Sequence, residues 1–475
     1  MNSNFISNFN FCLILSLYFQ LYFCKTPFMQ KTLFYTFLVF FTAGLITACN
    51  NGKMNENTSD SAKSNPQQTL NSNIKPDSNN AGLKLPSGFG ALVVADNTGG
   101  ARHLVVTDKG DIYVKLSDAK GGKGVLLLQD TNGDGKADKQ SGFGDYGGTG
   151  IALKNGYLYA SSNTDIYRYK LDANNTVTDQ NNPEHIVTGL IDRGQHNSKS
   201  IALDNNGNIY VNIGAYSNAC QEKDRTKGSP GMRPCPILDS AGGIWQFKAD
   251  QQNQTYGNGT HYATGLRNVV GLDWNNQTNS LFVMQHGRDG FYDFYPQYYN
   301  AKQSAELPAE CMYELHQGAN AGWPYYYYDE NQHKYFVNPE YGGDTKKTQS
   351  DMLDSSKLLQ PADAFPGHLA PNGLLFYTGN QFPEKYKNGA FIAFHGSWNR
   401  APEPQKGYFV VFVPFKDGKP SGDWEVFADN FAGVNNVSPG SAKHRPCGLA
   451  QGPDGSLYVS DDTNGTIYRI VYTGK

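Results

Sequence analysis

Ile201-Ala-Leu-Asp-Asn-Asn-Gly-Asn-Ile-Tyr-Val211 is two short apolar runs around a turn of Asp, Asn and Gly. Asp and Asn bond back to their own main chain and tolerate left-handed backbone, and Gly enters it freely, so the stretch predicts a β-hairpin. Leu449-Ala-Gln-Gly-Pro-Asp-Gly-Ser-Leu-Tyr-Val459 repeats the pattern, and residues 104–114, 151–160, 270–284 and 374–394 carry looser copies, the last two with longer turns. Six spaced hairpins in one chain predict an all-β fold: a six-bladed β-propeller with four-stranded antiparallel blades, one such hairpin in each.

Composition agrees with that fold. The 475 residues include 52 Gly, 30 Tyr and 27 Phe with only 17% charged, which suits many turns and aromatic-faced strands. A net charge of -3 gives no field that would gather nucleic acid, so none is expected as a partner.

The first 82 residues read differently from the rest. Met29-Gln-Lys31 and the apolar run over 32–45 have the charged start and hydrophobic stretch of an export signal, too short to span a membrane. The run ends in Leu45-Ile-Thr-Ala-Cys49, which resembles a bacterial lipobox; a plain secretory signal is the alternative. Residues 1–48 are therefore read as a signal region with its true start at Met29. Residues 49–82 are read as the lipidated Cys49 and a disordered tether, too poor in apolar residues to order itself. Residues 83–475 are the propeller. The expected location is the cell envelope, facing the periplasm or exterior, with the lipid anchor as the sole membrane contact. Behind Cys49 stand Cys220, Cys235, Cys311 and Cys447. Cys220 and Cys235 bracket one loop and predict a local disulfide. A second bond between Cys311 and Cys447 is the weaker expectation, with metal binding or free buried thiols as alternatives and no Cys-x-x-Cys spacing to favour metal.

In an antiparallel hairpin the residue before the first strand lies beside the residue after the second. A propeller gathers those ends around one channel. His196, Arg267 with Asn268, His368 and His444 with Arg445 precede first strands, while Gln285-His-Gly-Arg-Asp289, His395-Gly-Ser-Trp-Asn-Arg400 and Asp461-Asp462 follow second strands. A site rich in Arg and His is expected there. Guanidinium forks suit a planar polycarboxylate, His196 suits a general base, and Trp323 and Trp398 offer flat apolar faces. Together these point to a bound organic cofactor or a sugar acid.

The same residues carry a resemblance. Gly194-Gln-His196, Gly265-Leu-Arg-Asn268, Gln285-His-Gly-Arg-Asp289, Ala321-Gly-Trp-Pro324, Phe394-His-Gly-Ser-Trp-Asn-Arg400 and Arg445-Pro-Cys-Gly-Leu-Ala450, in that order, resemble the pyrroloquinoline quinone-dependent sugar dehydrogenases, and within them the sorbosone and pyranose branch. The resemblance implies a quinoprotein that oxidises an aldose or related sugar aldehyde or alcohol. His196 takes the hydroxyl proton while hydride passes to pyrroloquinoline quinone. Arg267 and Asn268 then contact the quinone, Arg400 and Arg445 neutralise its carboxylates, with Trp398 beside it, and Gly287 with Arg288 falls where the family holds Ca2+ through main-chain carbonyls. Ala215 stands where the glucose dehydrogenases carry an Asp that orients the base, so another group orients His196 or the base is weaker. Arg288 replaces a Pro, so Asp289 or Asp293 joins the calcium ligands. With no Cys-x-x-Cys-His haem site, electrons leave to an external acceptor, a quinone or a cytochrome.

Asp130-Thr-Asn-Gly-Asp-Gly-Lys-Ala-Asp138 places Asp130, Asn132, Asp134 and Asp138 at the spacing of a calcium loop, but Ser141 stands at position twelve where such loops have Glu. It reads as a second calcium loop or an acidic hairpin tip. The alternatives to the dehydrogenase are a sugar-binding propeller without redox chemistry and a metal-dependent lactonase, which needs Glu, Asn and Asp on the axis rather than Arg and His.

Overall fold

Each predicted hairpin forms, and each becomes the inner half of a sheet. The computed structural model describes residues 74–351 and 357–474; the signal, Cys49 and most of the expected tether lie outside the described residues. In blade one the strands are Ala101–Val106, Ile112–Lys120, Lys123–Gln129 and Lys139–Phe143. Blade two has Ile151–Lys154, Tyr157–Ser161, Ile166–Lys170 and Glu184–Thr188; blade three has Ile201–Leu203, Asn208–Ile213, Gly243–Lys248 and Thr260–Thr264. Blade four runs Val269–Asn275, Ser280–Gln285, Glu310–Leu315 and Asp363–Phe365, and blade five Pro371–Phe376, Ala390–Phe394, Phe409–Val413 and Glu425–Ala428. Blade six takes Pro446–Gln451, Leu457–Asp461 and Ile467–Tyr472 from the end of the chain and its outer strand, Phe89–Ala95, from the beginning. The register of the opening stretch pairs Ile201 with Val211 and Leu203 with Ile209. The fold is the six-bladed propeller with four-stranded antiparallel blades; short parallel additions, Gln254–Thr255 and Ala319–Asn320, extend blades two and three.

The reason for the ring lies in side-chain alternation. A strand of period two presents apolar groups to both sides of its sheet, so every blade needs a neighbour on each face. Six large apolar clusters result, one between each pair of neighbouring blades. Tyr159 and Ile166 of blade two meet Ile209 and Trp245 of blade three, and Val94 and Ile467 of blade six meet Leu104 and Val114 of blade one. The first strands line the axis around a cavity of about 350 Å³, bounded by Leu104, Ala152, Ala202, Leu272, Leu374 and Ala450. His103, Lys154 and Asp273 also line that cavity, while most of the Arg and His groups singled out in the sequence gather at the other end, before the first strands.

One expectation is corrected and two readings left open are narrowed. The chain is already packed on the propeller before Gly82: Asp77 accepts from Val93 N at 2.9 Å and pairs with Lys136 at 2.8 Å, so the tether ends earlier. Cys220 and Cys235 are disulfide-bonded as expected, but Cys311 and Cys447 are buried free thiols in blades four and six. The acidic loop is a hairpin tip whose carboxylates cap their own turn: Asp130 accepts from Gly133 N and Gly135 N, both at 2.7 Å, and Asp138 from Thr131 N and Oγ1. Asn132 and Asp134 likewise accept from main-chain N–H groups two residues on.

Candidate active site

His196 stands at φ +51° in the bend before blade three, a left-handed conformation that costs a non-glycine residue about 1 kcal/mol or more. Its neighbour across the hairpin is the segment after the second strand. His196 Nδ1 lies 2.5 Å from Ala215 O, and Ala215 N donates to Arg267 O at 2.8 Å. A carbonyl only accepts, so Nδ1 carries the proton and the lone pair of the neutral ring is on Nε2. The missing Asp is thus replaced by a main-chain oxygen, an orienting group no side-chain pattern announces. Gly214 makes the approach possible, since a Cβ there would fall 2.5 Å from His196 O and 2.6 Å from His196 Cβ.

The imidazole keeps an open edge but lies deep among protein atoms. Burial, with the positive charge of Arg267 behind it, pulls its pKa down to about 3. Burial does the same to His103, to about 4, and His286, to about 3. His103 Nε2 is 2.8 Å from Asn372 O and His286 Nε2 is 3.2 Å from Pro371 O. The mouth is therefore lined by uncharged imidazoles among fixed cations.

Arg267 is buried and points across the mouth. Nη1 donates to Gly287 O at 2.9 Å, and Nη2 to Asn218 Oδ1 at 3.0 Å and Asp289 Oδ2 at 2.8 Å. Its Nε is buried with no hydrogen-bond partner. Asp289 also pairs with Arg225 from the disulfide loop at 2.9 Å and accepts from Asn399 Nδ2 at 2.6 Å. Burial would raise this carboxyl, but Arg267, His368 and Arg225 hold it well below the usual range. Asn268 lies beside His196, its Oδ1 3.4 Å from Asn212 Nδ2 and its main-chain O accepting from His286 N.

The other expected residues separate into two groups. Arg445 reaches the mouth: Nε donates to His395 O and Nη2 to Gly396 O, at 3.1 and 2.6 Å, while Nη1 donates to none of the described residues. Arg400 faces away. It is buried, and donates to Pro404 O, Gly367 O, Ala305 O and the carboxylate of Glu306, so it serves the frame of its loop. Arg288 is also turned away, paired with buried Glu340 at 2.5 Å and stacked over Phe291, which leaves the 287–289 loop only its main-chain oxygens and Asp289. Trp323 is buried, its Nε1 donating to Asn218 O at 3.0 Å, and offers no face to a ligand. Trp398 stands 59% exposed at the rim.

Arg102, which the sequence reading missed, lies at the centre of the ring. It pairs with Asp462 at 2.7 Å and approaches Thr149 Oγ1 and Ser198 Oγ, joining blades one, two, three and six. Asp462 in turn meets His395 Nε2 at 2.6 Å. The signal was present: Arg102 is the second residue of the first strand of blade one, close to the positions at which Arg267 and Arg445 precede those of blades four and six.

Known proteins share this arrangement of chain. The sequence is 27% identical over 279 residues to a pyrroloquinoline quinone-dependent pyranose dehydrogenase of Coprinopsis cinerea, covering 51% of this chain and 36% of that protein. It is 23% identical over 400 residues to a pyrroloquinoline quinone-dependent sugar dehydrogenase of Hypocrea jecorina, covering 80% of this chain and 84% of that protein. The chain spans about half the length, or less, of the first curated relatives it matches. Among solved structures, the holo pyranose dehydrogenase PQQ domain of Coprinopsis cinerea superposes with a TM-score of 0.65 at 22% identity, covering 82% of this chain and 97% of that one. With the TrAA12-like family model matching residues 83–473, the propeller from its first strand to its last, the chain belongs to the TrAA12-like family.

Proposed function

We propose that this chain is a pyrroloquinoline quinone-dependent dehydrogenase that oxidises an aldose or a related sugar aldehyde or alcohol and passes electrons to an external quinone or cytochrome. The observation that carries the reading is His196: a neutral imidazole with Nδ1–H held on Ala215 O and Nε2 free to accept, set beside a buried guanidinium whose Nε lacks a partner. A base beside a cation cluster is what oxidation of an alcohol on an anionic cofactor requires.

The donor set fits the cofactor. Arg267 Nε, Arg445 Nη1 and Asn268 would hold its carbonyls and carboxylates, charge meeting charge in a water-poor mouth. When bound, the quinone supplies a two-electron acceptor for the hydride. His196 Nε2 takes the proton from the hydroxyl on the carbon that loses hydride, and the imidazolium so formed is stabilised by Ala215 O and by the negative charge of Asp289. Asn399 and Arg225 keep that carboxylate in place. For calcium, the loop offers Gly287 O, Arg288 O and Asp289. That is fewer oxygens than the six to eight the ion takes, and Gly287 O and Asp289 are engaged by Arg267. Calcium bound there would draw its remaining ligands from the cofactor.

A calorimetric titration of the purified chain with pyrroloquinoline quinone, with and without calcium, tests this. One-to-one binding that tightens with calcium is expected, together with weak calcium binding by the chain alone. A folded sample that takes up no quinone overturns the reading.

A further inference from the structure

Trp398 is the most exposed large apolar side chain among the described residues, and its loop is bonded on both sides. On one side, His395 Nε2 meets Asp462 at 2.6 Å, Gly396 O accepts from Arg445 at 2.6 Å, and Ser397 O accepts from Tyr408 Oη at 2.5 Å. On the other, Asn399 Nδ2 donates to Asp289 at 2.6 Å and Arg400 is locked into the frame. The main chain is thus held on both sides of Trp398, one residue from the group that touches Asp289, and the indole faces water at 59% exposure. Trp245, Trp274 and Trp323 are buried, at 3%, 8% and 3%. A side chain that buries 150–250 Å² in an ordinary core stands here in the open at the rim.

The surroundings select the occupant. A protein partner needs a broad apolar patch with satisfied rim polar groups. The other exposed large apolar side chains among the described residues are Tyr292, Tyr298 and Val426; the tyrosines belong to the helical segment after Asp289, and Val426 to the outer strand of blade five. Trp398 is flanked in the chain by buried Ser397, whose Oγ donates to Gln405 Oε1 at 2.7 Å, and by Asn399, and both Asn399 and Gln405 are partly exposed and polar. A single flat apolar face among hydrogen-bonding side chains matches one pyranose ring, whose C–H face is apolar and whose edge is hydroxyl.

We propose that Trp398 is a stacking platform for a second saccharide ring, so that the substrate is an oligosaccharide whose end ring reaches His196. This rests on the dehydrogenase reading for the chemistry, though not for the binding. Trp398 then touches substrate rather than cofactor.

The purified chain and its Trp398→Ala and Trp398→Phe variants are titrated calorimetrically with maltotriose, cellotriose and xylotriose, with glucose as control, and separately with pyrroloquinoline quinone. The expected result is about tenfold weaker binding of at least one trisaccharide in Trp398→Ala, near-normal binding in Trp398→Phe, and unchanged affinity for glucose and quinone in both. A blue shift of tryptophan emission in the unaltered chain accompanies saturation. Trisaccharide binding that is absent, or equal in Trp398→Ala, overturns the platform whether or not quinone binds. Lost quinone affinity in Trp398→Ala also overturns it and returns the ring to the cofactor. If the unaltered chain ignores quinone but keeps the Trp398-dependent trisaccharide binding, the dehydrogenase reading fails and the platform stands.

Discussion

A histidine on Ala215 O behaves differently from one on a carboxylate. The carbonyl fixes the tautomer but adds no full negative charge, and burial dominates, so the ring stays neutral down to about pH 3. As the proposed base, His196 must be unprotonated to act; activity governed by it is present above its folded pKa and lost as pH falls through it. The acid limb of kcat/KM should therefore lie below about pH 4, with no inflection at the ordinary histidine value near 6.5; a limb at 6.5 would show a base other than this one. His196→Ala should retain quinone affinity and lose turnover by about 10²-fold or more, measured by calorimetry and by dye reduction on the same sample. Gly214→Ala addresses the support beneath. Its Cβ would meet His196 O and Cβ at 2.5 and 2.6 Å and Asn268 Oδ1 at 3.0 Å, so the bend must move. Turnover should fall toward that of His196→Ala while the melting temperature drops by only a few degrees; normal turnover would mean the bend tolerates displacement.

At the level of hairpins and loops, the sequence was legible where identity determines conformation. The Asn-Asn-Gly of blade three and the Pro-Asp-Gly of blade six specify turns, and the alternating apolar runs specify strands, so all six inner hairpins could be read. Side-chain direction could not. Arg400 and Arg445 both sit at loops of the same face, yet Arg400 is captured by Glu306 and Ala305 O of the helical insertion after Asp289 and by Gly367 O, segments remote in sequence. Arg288 is captured in the same way by Glu340. The acidic stretch 130–138 shows the same limit from the other side, since carboxylates at calcium spacing also satisfy their own turn N–H groups. The loop closed by Cys220–Cys235 carries Arg225 to Asp289 and Asp224 to Ser217 and Gln195. Closing a loop with a sequence separation of 15 contributes about 3 kcal/mol by restricting the unfolded chain. Cys220→Ser with Cys235→Ser should lower the melting temperature and weaken sugar binding more than quinone binding. An unchanged melting curve would show that Arg225 and Asp224 hold the loop without the bond.

Across the whole molecule, the six clusters between blades make every sheet depend on both neighbours, and the ring is shut by Phe89–Ala95 on Ile467–Tyr472. Phe89 packs edge-on to Phe382 and Phe427 at ring distances of 4.9 and 5.0 Å, so this strand also anchors blade five. A chain beginning after residue 95 leaves blade six with three strands and an unpaired edge. It should lose the single cooperative melting transition and aggregate, while a chain beginning at Ile74 keeps it; scanning calorimetry and light scattering on both decide this. The first strand was hidden in the sequence reading because it belongs to no hairpin of its own; only the missing fourth strand of the last blade calls for it.

That closure also sets an order of events in time. Thr98 Oγ1 is bonded to Gly465 O across 367 positions of chain, so the earliest strand to leave the ribosome waits for nearly the last. A nascent chain cannot shut the ring however long it pauses, and a product truncated anywhere before Ile467 keeps an open seam. Ring closure therefore requires both ends of the propeller segment to be present together.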